Sequence, residues 1–209
     1  MNKGPVAGII LAAGMSKRFR KVKQLFEIGN STILSMVIKA AIKSDLDKIV
    51  LVLGYESDKI KASLVNSLKE SKLVAVVNPN YFQGMSTSLG CGLMEIKKEF
   101  PSVMILMGDQ PFVSYKVINH ILKSFKAADK DICVPVYKGK RGLPVCFTDA
   151  FYDDMLNISG DMGAREIIRN NPLKIQTVEI EDPVCFMDID EEADLEQLEF
   201  FLKRIDKEN

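Results

Sequence analysis

The chain of 209 residues has 28 basic and 28 acidic side chains, so its formal net charge is zero. This balance argues against a broad electrostatic surface for nucleic acid or an anionic membrane, and no apolar run approaches the length that spans a bilayer. Hydrophobic residues make up 47% and charged residues 27%, which is typical of a globular protein, and the length predicts a single domain over residues 1–209.

Apolar runs and helical patterns alternate along the chain. The run 6–13 leads into a basic loop, so we interpret it as a buried strand rather than a signal peptide. In chain order the patterns predict a strand over 6–11, a helix over 32–43 capped by Ser31 or Thr32, a strand over 48–53, a helix over 58–68, a strand over 73–77, a helix over 86–98, a strand over 103–107, a helix over 114–126, strands over 132–137, 143–147 and 174–179, and a helix over 191–204.

The order of these elements predicts the fold class. Early strands that are apolar throughout, each followed by a helix, are typical of a parallel sheet covered on both faces. We therefore predict a three-layer α/β/α, Rossmann-like domain with a mostly parallel sheet, to which the less regular last third adds antiparallel edge strands. Ligands of such sheets bind beyond the carboxyl ends of the strands, where the strand order reverses. The loops after the first, third and fourth strands are the candidate site.

The cysteines and the histidine exclude several kinds of site. The four cysteines, Cys91, Cys133, Cys146 and Cys185, are far apart and form no C-x-x-C pair, so a reducing cytoplasm is the expected location. Only one histidine, His120, is present, which excludes sites with several histidine ligands. It lies in a predicted helix without an obvious nucleophile nearby, so we do not expect it to be catalytic.

The loop after the first strand favours a polyanion. Residues 17–23 hold five basic side chains beside a turn that contains Gly14. Small residues let the backbone approach a ligand, backbone N–H groups can cradle phosphate oxygens, and Arg and Lys supply charge. A solvated basic loop is the alternative. The segment is neither a P-loop nor a dinucleotide-binding G-x-G-x-x-G motif.

Two acidic segments are candidates for a metal site. Asp109 follows the apolar strand 103–107, where a carboxylate can hold Mg²⁺ against phosphates, although a turn aspartate is the alternative. Asp188 and Asp190 precede the last predicted helix. Asp190 could instead be an ordinary helix N-cap, so the spacing leaves the choice between these two residues open.

The loop resembles a known family signature. Residues 11–23 are similar to L-A-A-G-x-S-x-R-x-G-x-x-K of the cytidylyltransferases that attach CMP to the molybdenum cofactor, which have a GT-A-like nucleotidyltransferase fold. Arg20 stands where that family has glycine. The matching positions, which the resemblance implies contact the nucleotide, are Leu11, Ala12, Ala13, Gly14, Ser16, Arg18 and Lys23.

Further segments extend the resemblance over nearly the whole chain. Residues 108–111 resemble G-D-Q-P, in which the aspartate, here Asp109, is a metal ligand, and 188–190 resemble the family's D-I-D, which supplies a second carboxylate. Residues 78–89 resemble N-P-x-W-x-x-G-M-x-x-S-L, which favours the cytidine-using branch. In that segment the implied nucleotide contacts are Gly84, Met85, Ser86 and Ser88, with helix capping as the alternative for Ser86.

Two later segments resemble the pterin-binding side of the family. Residues 141–147 resemble G-H-P-V-L-F, with Leu143 in place of the histidine, and 160–165 resemble G-D-x-G-A-R. The resemblance implies that Asp161 and Arg165 bind the acceptor substrate. Asp161 could alternatively cap a short helix beginning near Gly163, and Arg165 could pair with a nearby acid.

The resemblance implies a magnesium-dependent transfer of CMP from CTP to molybdopterin or its molybdenum-loaded form, with release of pyrophosphate. Mg²⁺ would bind Asp109 with Asp188 or Asp190, and Arg18 and Lys23 would balance the phosphate charge. A molybdenum hydroxylase would receive the product. Three alternatives stay open: the same fold acting on GTP or a sugar phosphate, a non-catalytic cofactor-binding maturation factor, and a plain α/β scaffold for protein interaction.

Overall fold

The computed structural model describes residues 3–15, 22–161, 163–189 and Asp194. The strands within these residues are β1 Val6–Ala12, β2 Glu27–Ile28, β3 Ser31–Thr32, β4 Lys48–Leu53, β5 Leu73–Val77, β6 Ser102–Met107, β7 Ile132–Tyr137, β8 Lys140–Arg141, β9 Val145–Thr148 and β10 Ile175–Glu179. The α-helices are α1 Ile33–Lys43, α2 Ser57–Ser63, α3 Met85–Met94, α4 Tyr115–Ala127, α5 Tyr152–Asn157 and α6 Arg165–Asn170.

The main sheet has β1 near its centre. Its described part contains eight strands in the order β10-β7-β9-β6-β1-β4-β5, with β8 paired to β7, while β2 and β3 form a separate pair. β1 is parallel to both β4 and β6, and all seven of its residues are buried. Since β4 and β5 lie on one side of β1 and β6 on the other, the strand order reverses there. The carboxyl ends of β1 and β6 therefore border the crevice where such sheets bind ligands.

Helices cover both faces of this sheet. Successive β1 residues point to opposite faces, so Ile10 packs in one hydrophobic cluster and Ile9 in the other. The first cluster includes buried residues of α1 and α4, such as Leu34 and Phe125. The second includes residues of α3 and α5, such as Leu89 and Met155. The prediction of a three-layer, mostly parallel α/β fold is confirmed.

The position of the antiparallel strand differs from the prediction. β9 lies inside the sheet, antiparallel to both β6 and β7, whereas the edge strand β10 is parallel to β7. The connection from β7 to β9 is too short for a parallel crossover, which needs a dozen or more residues. The longer connection through α5 and α6 lets β10 return parallel. All four residues of β9 are buried, as its interior position requires.

The helix boundaries follow local capping. Thr32 Oγ1 accepts a 3.2 Å hydrogen bond from the backbone N–H of Ser35 at the start of α1, and Ser114 caps α4 in the same way at 3.3 Å. α2 ends at Ser63, before the prediction's limit at residue 68, since Val65 and Asn66 are weak helix formers. The predicted helix 191–204 lies outside the described residues, apart from Asp194. No helix in the described ranges is both long enough and apolar enough to cross a membrane.

Candidate functional site

The loops after β1 and β6 lie side by side at the reversal of strand order. The backbone N–H of Gly108 donates to the carbonyl of Leu11 at 2.9 Å. A Cβ atom at Gly108 would stand 2.8 Å from the Cβ of Ala12, closer than real side chains pack. The small residues at these two positions therefore allow the two loops to approach.

An ion pair crosses this junction. Lys23 Nζ lies 2.7 Å from Asp109 Oδ2, and the side chains are 10% and 19% exposed. The other carboxylate oxygen, Asp109 Oδ1, is buried and has no hydrogen-bond partner within the described ranges. A buried carboxylate oxygen without a donor is costly unless a cation or donor meets it. The environment of Asp109 therefore suits a divalent cation, which prefers oxygen ligands.

Asp188 comes from a distant part of the chain and is held beside Asp109. Gln110 Nε2 donates to Asp188 Oδ1 at 2.8 Å, and the N–H of Ile189 donates to the carbonyl of Asp109 at 3.1 Å. Asp190, the other candidate ligand, lies outside the described residues. Within the described ranges, no three His, Cys, Asp or Glu side chains form a metal-binding cluster.

Gln24, which sequence reasoning missed, holds the β1 loop from inside the protein. Its Nε2 donates to the carbonyls of Ala12 at 3.1 Å and Gly14 at 3.2 Å, and the residue is only 5% exposed. At Gly14 a Cβ atom would meet no other atom within 4 Å, so this face of the loop borders open space. The only sequence signal for Gln24 was its place next to Lys23.

A cleft of about 420 Å³ opens at this junction. It joins the β1 loop to the start of α3 and to Asp109. The predicted nucleotide contacts that line it are Leu11, Ala12, Ala13, Gly14, Lys23, Gly84, Met85 and Ser88. Tyr81 and Phe82 also line it, although they were not predicted as contacts. The predicted residues Ser16 and Arg18 lie outside the described residues.

Ser86 was predicted either to contact the nucleotide or to cap α3, and the structure of the helix start fits neither role. Ser86 is 6% exposed and is not among the residues that line the cleft. It does not cap α3 either. The N-cap residue is Gly84, and Asp161 Oδ1 accepts the N–H of Met85 at 3.1 Å. Ser88 is held by Asn78, whose Nδ2 donates to Ser88 Oγ at 3.0 Å.

A second cleft, of about 630 Å³, adjoins the first. The residues that line both are Leu11, Met85, Met107, Asp109 and Asp161. The predicted Arg165 lines the second cleft together with two arginines that sequence reasoning missed, Arg141 and Arg169. Leu143, which replaces the family's histidine, and Phe186 add apolar surface.

The alternative roles of Asp161 and Arg165 can be compared with the structure. The helix near Gly163, α6, begins at Arg165, and its N-cap residue Ala164 makes no side-chain capping bond. Asp161 thus caps α3 rather than α6, because its carboxylate meets the N–H of Met85. The alternative role of Arg165 was pairing with a nearby acid, but the carboxylate of the neighbouring Glu166 lies 3.7 Å from Arg169 instead.

Residues 8–177 match the sequence profile of the MobA-like NTP transferase domain. The chain belongs to the MobA-like NTP transferase family. Its members transfer nucleotides, so this MobA-like protein is a nucleotidyltransferase. Asp109 lines both of the adjoining clefts.

Two relatives of this MobA-like chain carry different nucleotide names. It is 27% identical over 137 residues to the molybdenum cofactor cytidylyltransferase of Escherichia coli K12, which covers 66% of this chain and 67% of the relative. It is 26% identical over 201 residues to a probable molybdenum cofactor guanylyltransferase of Thermococcus sibiricus, with 91% and 96% covered. These identities support the family but leave the choice of nucleotide open.

The fold of this MobA-like chain is also similar to that of Rv0371c from Mycobacterium tuberculosis. The TM-score is 0.80 at 23% identity, with 93% of this chain and 97% of the other covered. A manganese complex of Rv0371c superposes with a TM-score of 0.77.

Proposed function

We propose that this protein transfers CMP from CTP to molybdopterin or its molybdenum-loaded form, releasing pyrophosphate and forming the cytosine dinucleotide. One observation carries the proposal: the Lys23–Asp109 pair lies where the two clefts meet, and the buried Oδ1 of Asp109 has no hydrogen-bond partner among the described residues. An anionic nucleotide in one cleft and an anionic acceptor in the other would bring their reacting atoms to this carboxylate.

The first cleft is the proposed CTP site. The loop backbone at Ala13 and Gly14 would contact the phosphates. Gln24 holds this loop in place from inside the protein, by its hydrogen bonds to the carbonyls of Ala12 and Gly14. Lys23 would balance charge on the triphosphate and on the leaving pyrophosphate, and we assign Ser16 and Arg18 to the same task. Gly84, Met85 and Ser88 form another wall of the cleft.

Magnesium is the proposed cofactor, held by Asp109 with Asp188 or Asp190. When bound, it supplies positive charge that stabilises phosphate oxygens during the transfer. The buried, unpartnered Oδ1 of Asp109 supports this assignment. So does the manganese complex of the structurally similar Rv0371c. Gln110 would orient Asp188 by its 2.8 Å hydrogen bond, so that both carboxylates stay at the junction of the clefts.

The second cleft is the proposed acceptor site. The acceptor phosphate would be attracted by Arg141, Arg165 and Arg169. The faces of the acceptor's pterin ring would contact Leu143 and Phe186. The acceptor's terminal phosphate oxygen attacks the α-phosphorus, and the bond from that phosphorus to the bridging oxygen of pyrophosphate breaks. The attacking oxygen is already anionic, so positioning and charge stabilisation lower the barrier without a general base.

GTP is the second candidate nucleotide, because a relative of nearly equal identity bears the name guanylyltransferase. The motif over residues 78–89 supports CTP. The acceptor could likewise be a sugar phosphate. We further propose that residues 1–209 form one cytoplasmic domain and that a molybdenum hydroxylase receives the product.

Incubation with molybdopterin, Mg²⁺ and either CTP, GTP or ATP tests the proposal. We expect pyrophosphate release and a dinucleotide product with CTP. A product only with GTP would assign the protein to the guanosine branch. Tight pterin binding without pyrophosphate release from any nucleotide would instead identify a non-catalytic maturation factor.

A further inference from the structure

The turn at Gly160 and Asp161 is bonded to the first turn of α3. The carbonyl of Gly160 accepts the backbone N–H of Ser86 at 3.0 Å. Asp161 Oδ1 accepts the N–H of Met85 at 3.1 Å. These two N–H groups belong to the helix start, where donors lack partners within the helix itself. The turn therefore supplies hydrogen-bond acceptors to the first turn of α3. It lies far along the chain, since Asp161 is 76 positions from Met85.

Glycines make this contact close. A Cβ atom at Gly84 would stand 2.6 Å from the carbonyl carbon of Gly160, and the φ of Gly84 is +116°. A Cβ atom at Gly163 would stand 3.0 Å from Met85 Sδ, and its φ is +52°. Both positions therefore favour glycine on steric and conformational grounds. We call the contact of residues 84–86 with Gly160, Asp161 and Gly163 the clasp.

The clasp lies between the two clefts. Met85 and Asp161 line both of them. Gly84 and Ser88 line the first cleft but not the second, and Arg165 lines the second but not the first. Any displacement of the clasp would change the shape of both clefts at once.

We propose that Asp161 is a positioning residue that couples nucleotide binding in the first cleft to acceptor binding in the second. The inference rests on the proposed function, since it requires that both clefts bind substrates. A ligand that orders the start of α3 also orders the turn at Asp161, and through it the segment that carries Arg165. The second ligand then meets a wall that is already in place, so the two bind more tightly together than apart, and the coupling is reciprocal.

The key comparison is between Asp161→Ala and Asp161→Asn. Alanine removes the acceptor for the Met85 N–H, whereas asparagine keeps an oxygen that can accept it. Asp154→Ala is the matched control, because Asp154 is an exposed carboxylate on the neighbouring helix α5. A direct electrostatic contact of Asp161 with substrate would make asparagine as damaging as alanine. A positioning role makes asparagine close to wild type.

Calorimetry with α,β-methylene-CTP and Mg²⁺, with and without molybdopterin, measures the coupling without turnover. We expect molybdopterin to tighten the analogue's Kd in wild type, D161N and D154A. In D161A the analogue should bind about tenfold more weakly and the tightening should disappear. Hydrogen exchange of the ligand-free proteins should be faster at residues 85–87 and 163–169 in D161A alone.

The outcomes separate the two proposals. If D161A keeps the wild-type Kd, coupling and exchange rates, or if D161N is as impaired as D161A, the coupling role of Asp161 is wrong while the proposed function stands. If wild-type protein binds neither ligand, the proposed function and the coupling fail together. The hydrogen-exchange comparison also tests the clasp without any ligand.

Discussion

Lys23 Nζ lies 2.7 Å from Oδ2 of Asp109, although the two residues are 86 positions apart. The pair joins the loop after β1 to the loop after β6 at the reversal of strand order. It is also the point where opposite charges would be needed to hold a metal and a triphosphate. The second oxygen of the carboxylate is buried and has no hydrogen-bond partner in the described part of the chain.

Asp109→Asn should reduce pyrophosphate release at least about 100-fold, because it removes the charge that would hold the metal beside the phosphates. The amide has nearly the same shape, so the fold should be preserved. Steady-state assays at several Mg²⁺ concentrations, with circular dichroism for the fold, check this. Asp58→Asn, an exposed carboxylate on α2, is the control. Wild-type turnover of the Asp109 variant would defeat the metal assignment.

Substitutions at Gln24 should lower the free energy of unfolding by amounts that depend on its two donated hydrogen bonds. Gln24→Leu loses both bonds but also removes the unpartnered Oε1, so the free energy of unfolding should fall by only about 1 kcal/mol. Gln24→Glu turns an oxygen toward two carbonyl oxygens and should cost more. Urea unfolding measures both, with Gln83→Glu on the exposed surface as the near-neutral control. The reverse order would contradict this account of the loop.

Alanine at Gly108 should lower stability, whereas alanine at Gly14 should weaken nucleotide binding. Gly108→Ala places a methyl group 2.8 Å from Ala12 Cβ and should lower the free energy of unfolding by about 1–3 kcal/mol. Gly14→Ala meets no neighbour within 4 Å and should leave stability unchanged while weakening nucleotide binding, since its methyl group enters the cleft. Thermal unfolding and nucleotide titration of both variants check this. A destabilised Gly14→Ala protein that binds nucleotide normally would contradict it.

The buried cysteines should resist alkylation in the native protein. Burial raises the pKa of Cys133 to about 11 and that of Cys185 to about 11, and it raises the pKa of Cys146 well above its usual range. Only the thiolate reacts, so labelling at about pH 8 should be slow, and it should speed up as the pH approaches these values. Iodoacetamide labelling followed by mass spectrometry measures this, with unfolded protein as the fully labelled reference. Rapid native labelling of all three thiols would show that they are not held in the core.

The sequence predicted the fold class because strong local patterns and the topology agree. Apolar strands followed by helices require a covered parallel sheet, and the rule on strand reversal then brings the loop after β1 to Asp109. The interior position of β9 and the parallel orientation of the edge strand β10 were missed, because an apolar run such as Val145–Thr148 does not reveal which strands it pairs with.

The supporting residues of the site could not be predicted in the same way. Gln24 and Gln110 act through amide groups that reach backbone or side-chain atoms brought together only by folding. Arg141 begins the segment 141–147 and Arg169 follows Arg165 by four residues, but neither stands at a position of the family's motifs, so no sequence pattern assigned them a role. Asp161 was assigned to substrate, and its contact with Met85 depends on the packing of two glycine-containing turns.

Transfer of label from CTP labelled at its α-phosphorus tests the central claim most directly. With wild-type protein, molybdopterin and Mg²⁺, we predict that the α-phosphorus label appears in a pterin–cytosine dinucleotide and that the β- and γ-phosphorus atoms leave together as pyrophosphate. The assignment of this site to nucleotidyl transfer would be contradicted if the label stayed in CTP, or appeared in CDP with release of inorganic phosphate, and if labelled GTP also gave no dinucleotide.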